Sequence, residues 1–112
     1  MSAAGRLRER VAFDERQDAD DGFGNMQSSF VEKFTRAAVV TFLRGGESVI
    51  AGRLAGRQPV VIRVRRDTQT EAVRTDWQAR DVRAGTVFAI RSVIPTPDRA
   101  WLDFTCETGV AA

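Results

Sequence analysis

The stretch from Thr86 to Cys106 reads TVFAIRSVIPTPDRAWLDFTC. In its second half Leu102, Phe104 and Cys106 alternate with Trp101, Asp103 and Thr105, a period of two that predicts a strand with one face inward. Pro95-Thr96-Pro97-Asp98 supplies a turn before it. Upstream, Ala79–Arg83 and Thr86–Ile94 flank Ala84–Gly85, the spacing of a hairpin closed by a two-residue turn. The C-terminal third is therefore read as consecutive antiparallel strands, and the fold class as mainly β.

The same periodicity extends towards the N-terminus. Val60, Ile62 and Val64 alternate with Val61, Arg63 and Arg65, a further strand, and the polar Asp67–Asp76 reads as an extended loop. Leu7, Val11 and Phe13 fall on one side of an alternating segment whose other side carries Arg6, Arg8 and Arg10. Gln17–Asn25 is acidic, glycine-containing and nearly free of hydrophobic residues, hence a loop. Ser28–Leu43 carries Phe30, Val31, Phe34, Val39, Val40 and Phe42, with a phase slip near Thr35–Ala37. It reads as one long bent strand or two strands with a bulge, with a helix through Glu32–Ala38 as the competing reading. After Gly45–Gly46, the spacing of Val49, Ile50 and Leu54 predicts a short helix over Glu47–Leu54, with Gly56 as its stop. Five or six strands and one short helix imply a small, partly open β-barrel or sandwich with Phe13, Phe34, Phe42, Phe88 and Phe104 in its core.

Composition narrows the chemistry. A chain of 112 residues is read as a single domain, 1–112, with 43% hydrophobic and 29% charged residues, ordinary globular values. No apolar run approaches the roughly 20 residues of a membrane span, and Met1–Arg10 lacks a signal-peptide core, so a soluble cytoplasmic chain is expected. With no His and one Cys, the sequence has no His-based triad, Cys–His dyad, zinc site or internal disulfide. Cys106, set between Phe104 and Glu107 in the alternating strand, reads as a buried structural thiol. No pair of acids stands out, so no enzyme and no catalytic, metal or cofactor site is expected. The formal net charge of +2 is too small to mark a nucleic-acid binder by its overall field. Lys33 is the one lysine among 17 basic residues; the remaining arginines suit bidentate pairing with carboxylate or phosphate.

Landmarks along most of the chain resemble one family. Gly5-Arg6-Leu7-Arg8 leads into the strand Val11-Ala12-Phe13, and an acidic loop ends in Asp21-Gly22-Phe23-Gly24. Phe30 stands six residues after Gly24, where the family usually has Trp. Ala38, then Leu43-Arg44-Gly45-Gly46-Glu47 and Ala51, match a strand end, a turn and a short helix. Ile62-Arg63-Val64-Arg65 matches an apolar-Arg-apolar-Arg strand, and Arg80, Gly85, Phe88, Ile90 and Val93 match the closing pattern. Pro59 and the absence of an aromatic residue in Ser48–Leu54 depart from it. From about Gly5 to Glu107 the chain resembles the head-closure (stopper, or head–tail joining) proteins of long-tailed phages and of phage-derived gene transfer particles.

The resemblance implies a structural role in the neck of a virion or phage-like particle, assembled in the bacterial cytoplasm. Members are small β-barrels that form a cyclic ring of identical copies below the portal and adaptor proteins. The ring closes the channel on packaged double-stranded DNA and offers a docking surface to tail proteins. By position, the channel segment is Arg44–Gln58, where Arg44, Arg53 and Arg57 lie among Gly45, Gly46, Gly52, Ala55 and Gly56. Glycine tolerates the conformations of a moving gate, and arginine meets phosphate. Ordinary salt bridges are the competing reading for those arginines. Arg6, Arg8, Arg10, Asp20, Asp21 and Trp77 are candidates for ring or neighbour-ring contacts, Trp77 equally for packing over the barrel end. The Gln17–Asn25 and Asp67–Asp76 loops are candidates for contacts with the rings above and below. Two rivals remain. One is a tail-terminator or adaptor ring, the adaptor being expected to be mainly helical. The other is a free-standing OB-like or SH3-like nucleic-acid-binding module, which calls for exposed aromatics interleaved with basic residues.

Overall fold

The computed structural model describes residues 8–20, 22–43 and 56–108. It contains six strands: β1 Glu9–Asp20, β2 Met26–Phe42, β3 Gln58–Arg65, β4 Gln78–Asp81, β5 Val87–Pro95 and β6 Trp101–Thr108, with one 3-10 turn at Thr70–Ala72. All neighbours are antiparallel, and the order β1-β2-β3-β6-β5-β4 closes on itself because β4 pairs with β1 as well as β5. The mainly β expectation holds. The expectation of a partly open barrel is tightened to a closed one by β4, four residues long and too short for its periodicity to reveal its second partner. Closure removes the sheet edge around the barrel, while β1 beyond Asp14 and β2 before Val39 pair only with each other. The expected helix at Glu47–Leu54 lies outside the described residues.

The β3–β6 register explains the core. Val60, Ile62 and Val64 stand opposite Cys106, Phe104 and Leu102, and five of these six have no exposed surface, Leu102 retaining 3%. On the outer face of the same pairing Arg63 stands opposite Asp103 and Arg65 opposite Trp101. A slip of one residue would exchange these two faces, which is why the alternation is decisive here. The Phe13 ring centroid lies 5.0 Å from that of Phe104 and 5.3 Å from that of Phe34, and Trp77 covers Phe34 at 6.3 Å. Phe88 is buried as expected, whereas Phe42 is 50% exposed. Its phase is that of the core face, but it is the last residue of β2 and lies at the rim.

Four local expectations are corrected. Gln17–Asp20 is not loop but strand, paired with Met26–Ser29, so that β1 and β2 form a long hairpin. Its two faces are both solvated, and no burial alternation marks it in sequence. The competing helix through Glu32–Ala38 is replaced by strand: β2 runs unbroken for 17 residues, with Lys33 left over where Phe13 and Asp14 pair with Phe34 and Glu32. That bulge lies two residues before the expected slip at Thr35–Ala37, where the register is regular. The β4–β5 turn is longer than two residues: the Asp81 N–H donates to Thr86 O at 2.8 Å and the Gly85 N–H to Asp81 O at 2.7 Å. Asp81 Oδ1 accepts from the N–H groups of Arg83 and Ala84, and Gly85 occupies the left-handed region at φ +77°. Finally, Asp67–Asp76 is not extended. Asp67 Oδ1 accepts from Thr70 N–H while Thr70 Oγ1 accepts from Asp67 N–H, both at 2.8 Å, and the coil they form buries Val73 and delivers Trp77 to the core.

Candidate interaction surface

Strand direction sorts the exposed groups onto two ends of the barrel. The first residues of β1 and β3 and the last of β2, β4 and β6 share one end, because each neighbour is antiparallel. Arg8, Arg10, Arg57 and Arg83 are exposed there, and among the described residues none of them has a carboxylate within salt-bridge distance. Between them stand the exposed Phe42, Val82 and Val87. This end is basic with apolar interruptions, a composition that suits a phosphate backbone or an acidic protein face.

At the same end the chain leaves the barrel after Leu43 and returns at Gln58. Leu43 N–H donates to Pro59 O at 3.0 Å, and Gln58 Nε2 donates to Leu43 O at 2.8 Å and to Pro59 O at 2.9 Å. The exit and return of the Arg44–Arg57 segment are thus stitched side by side, with Gly56 in the left-handed region at φ +81°. Arg57 lies at the foot of that segment. Arg44 and Arg53, like Arg6 and Asp21, fall outside the described residues.

The opposite end carries the β1–β2 arm. Beyond Asp14 and Glu32 the hairpin continues by six pairs, Glu15↔Val31 to Asp20↔Met26, reaching about 20 Å from the barrel at 3.4 Å per residue. Asp18 accepts from Ser28 Oγ at 2.6 Å and from Arg16 Nε at 3.4 Å; the Ser28 bond, then the Arg16 charge, hold its carboxyl below the usual range despite some desolvation. Asp20 Oδ1 caps the turn by accepting from Gly22 N–H at 2.9 Å. At the tip Phe23 is 88% exposed and Met26 67%. Asp20 and Arg10, grouped together by sequence reasoning, stand at opposite ends of β1. Trp77 lies elsewhere again: it is 8% exposed, its ring centroid 6.3 Å from that of Phe34. The exposed apolar tip was missed because neither Phe23 nor Met26 belongs to a periodic run.

Other charged residues are committed to the fold. Arg63 donates to Asp103 through Nε at 2.7 Å and Nη2 at 2.9 Å, which raises its pKa, and the Arg65 guanidinium lies 4.8 Å from the Trp101 ring centroid. Arg80 bridges the buried Asp14 and the exposed Glu32, bonds that raise its pKa in that order. Burial alone pushes the Cys106 thiol up to about 12, so it is inert at neutral pH. Among the described residues no group of acids, Cys or His is arranged to hold a metal ion, and no helix is long and apolar enough to cross a membrane.

Comparison with known proteins agrees with this architecture. The model of the phage head completion protein family matches residues 3–109. A solution structure of a protein from Shigella flexneri 2a superposes with TM-score 0.74 at 21% identity, covering 99% of this chain and 100% of that one. A chain in the virion of a native gene transfer agent particle superposes with TM-score 0.65 at 22% identity, covering 94% of this chain and 96% of that one. No curated protein matches. At these identities the two structures establish a shared fold, and the family model, spanning nearly the whole chain, establishes kinship. The chain belongs to the phage head completion protein family, with a structural role in the head–tail region of a phage-type particle.

Proposed function

We propose that this chain is the closure ring between portal–adaptor and tail: identical copies joined heterologously in closed cyclic symmetry retain the packaged DNA and present a surface to the tail. The observation that supports this most is the basic barrel end. Arg57 at the foot of the stitched Arg44–Arg57 segment shares it with Arg8, Arg10 and Arg83, while the acidic residues Asp18 and Asp20 project from the opposite end. A basic barrel end on one side and an acidic arm tip on the other suit a stack in which one side meets DNA and the other meets a protein ring. In this reading Arg44, Arg53 and Arg57 face the channel and meet phosphates. Arg6, Arg8 and Arg10 dock an acidic face of a neighbour, and Asp20 and Asp21 engage a basic one. Gating is an order–disorder or hinge movement of the Arg44–Gln58 segment.

The gel-free test is deletion of the gene in the producing strain followed by negative-stain electron microscopy. Tailless heads that lose their DNA, beside separate tails, are the expected result. Intact, transferring particles would overturn the role. Replacing Arg44, Arg53 and Arg57 by Ala is expected to give joined particles that leak DNA; leak-tight particles would remove the channel assignment and leave the docking role.

A further inference from the structure

At the foot of the β1–β2 arm, on the barrel wall, lies an open depression of about 400 Å³. Phe34 and Trp77 form its aromatic floor, Ala72 one side, and Lys33, Arg74 and Glu15 its rim. Lys33 is the residue left over at the β2 bulge, which is what brings it to the rim. Arg74 and Lys33 are both exposed, and among the described residues neither has a carboxylate within salt-bridge distance. The arm's own tip has the converse character: an exposed aromatic ring, Phe23, close to Asp18 and Asp20. The tip stands about 20 Å along the extended hairpin from the Glu15 and Lys33 side of the depression, so it does not fill the depression of its own chain.

We propose that the arm tip of one copy seats Phe23 on the Phe34–Trp77 floor of a second copy, with Asp18 and Asp20 against Lys33 and Arg74. The charges complement each other: Asp18 and Asp20 flank the ring, and Lys33 and Arg74 stand on the cup's rim beside Glu15. The two surfaces are different parts of the chain, so the contact is heterologous, and repeating it in one direction generates a ring or a filament. It deepens, and for its biological setting rests on, the ring reading above. One aromatic anchor leaves the free copies weakly associated and acts fully where a particle holds them side by side.

The test places a photoreactive benzophenone analogue of phenylalanine at position 23 of the full chain and irradiates concentrated purified protein. An intermolecular adduct mapping by mass spectrometry to residues 69–77 or 33–34 is expected. Its loss is expected with Ala72→Trp, which fills the cup, and with Lys33→Glu plus Arg74→Glu. Absence of adduct, adducts mapping to another surface, or adducts indifferent to both variants would overturn the proposal. Gene deletion separates this contact from the role: a missing adduct beside tailless, leaking heads removes the contact alone, and a specific adduct beside intact particles removes the role alone.

Discussion

The seam that closes the barrel is its most exposed weakness, and Asp14 is where it can be tested. β4 contributes four residues, and its pairing with β1 runs only from Val11↔Asp81 to Asp14↔Gln78. Asp14 is 4% exposed and accepts from Gln78 Nε2 at 2.7 Å and from Arg80 Nε and Nη2 at 3.3 and 3.4 Å. Asp14→Ala removes all three. The short bond to Gln78 is charge-assisted, in the class worth about 1.5–3 kcal/mol. The two longer Arg80 bonds add less, because Arg80 is 31% exposed and keeps Glu32 at 2.8 Å. The expected loss is about 2–3 kcal/mol, or a drop of roughly 10 °C in Tm for a domain of this size. Glu32→Ala, which removes an exposed partner of the same arginine, is expected to cost about 1 kcal/mol at most. Urea unfolding followed by circular dichroism gives both values, and hydrogen exchange of the Gln78–Arg80 amides reports whether the seam opens first. An Asp14→Ala cost below about 0.5 kcal/mol, or one equal to that of Glu32→Ala, would refute the argument that burial makes this carboxylate the closure of the barrel.

Three further outcomes follow from other sites. Cys106 has no exposed surface and its thiol is pushed up to about 12, so Ellman's reagent at pH 8 is expected to leave the native chain unlabelled and to label it fully in denaturant; rapid native labelling would contradict the closed β3–β6 core. Burial pushes the Asp67 carboxyl up, but the Arg36 guanidinium at 3.0 Å and the Thr70 N–H outweigh it and leave the pKa below its ordinary 3.8. The folded value being depressed, its stabilising contribution is complete above the unfolded value and is lost as pH falls through the folded one. Urea midpoints are therefore expected to fall below about pH 4 more steeply for the native chain than for Asp67→Asn. Gly85→Ala puts a Cβ at φ +77° with open space around it, so the expected cost is backbone strain alone, about 1–2 kcal/mol; an unchanged Tm would show that the turn relaxes.

The amino-acid sequence was sufficient wherever one strand face is dry and the other wet. Val60, Ile62, Val64 and Leu102, Phe104, Cys106 announce themselves because burial requires every second residue to be apolar, and the Arg63–Asp103 pair then follows from the register. The lack of histidine and the lone cysteine likewise exclude a His-based triad, a Cys–His dyad and an internal disulfide in these 112 residues without any coordinates. Kinship with head completion proteins was legible as landmarks in order, because turns and core positions constrain residue type at fixed spacing. The tertiary structure decided what such patterning leaves unmarked. Closure depends on a four-residue β4 whose second partner is remote in sequence. The β1–β2 arm is solvated on both faces, so no alternation betrays it, and its apolar tip and the cup at its foot come from residues far apart along the chain. Phe42 lost its expected cover for the same reason: phase says which way a side chain points, and only the assembled barrel says whether anything is there to cover it.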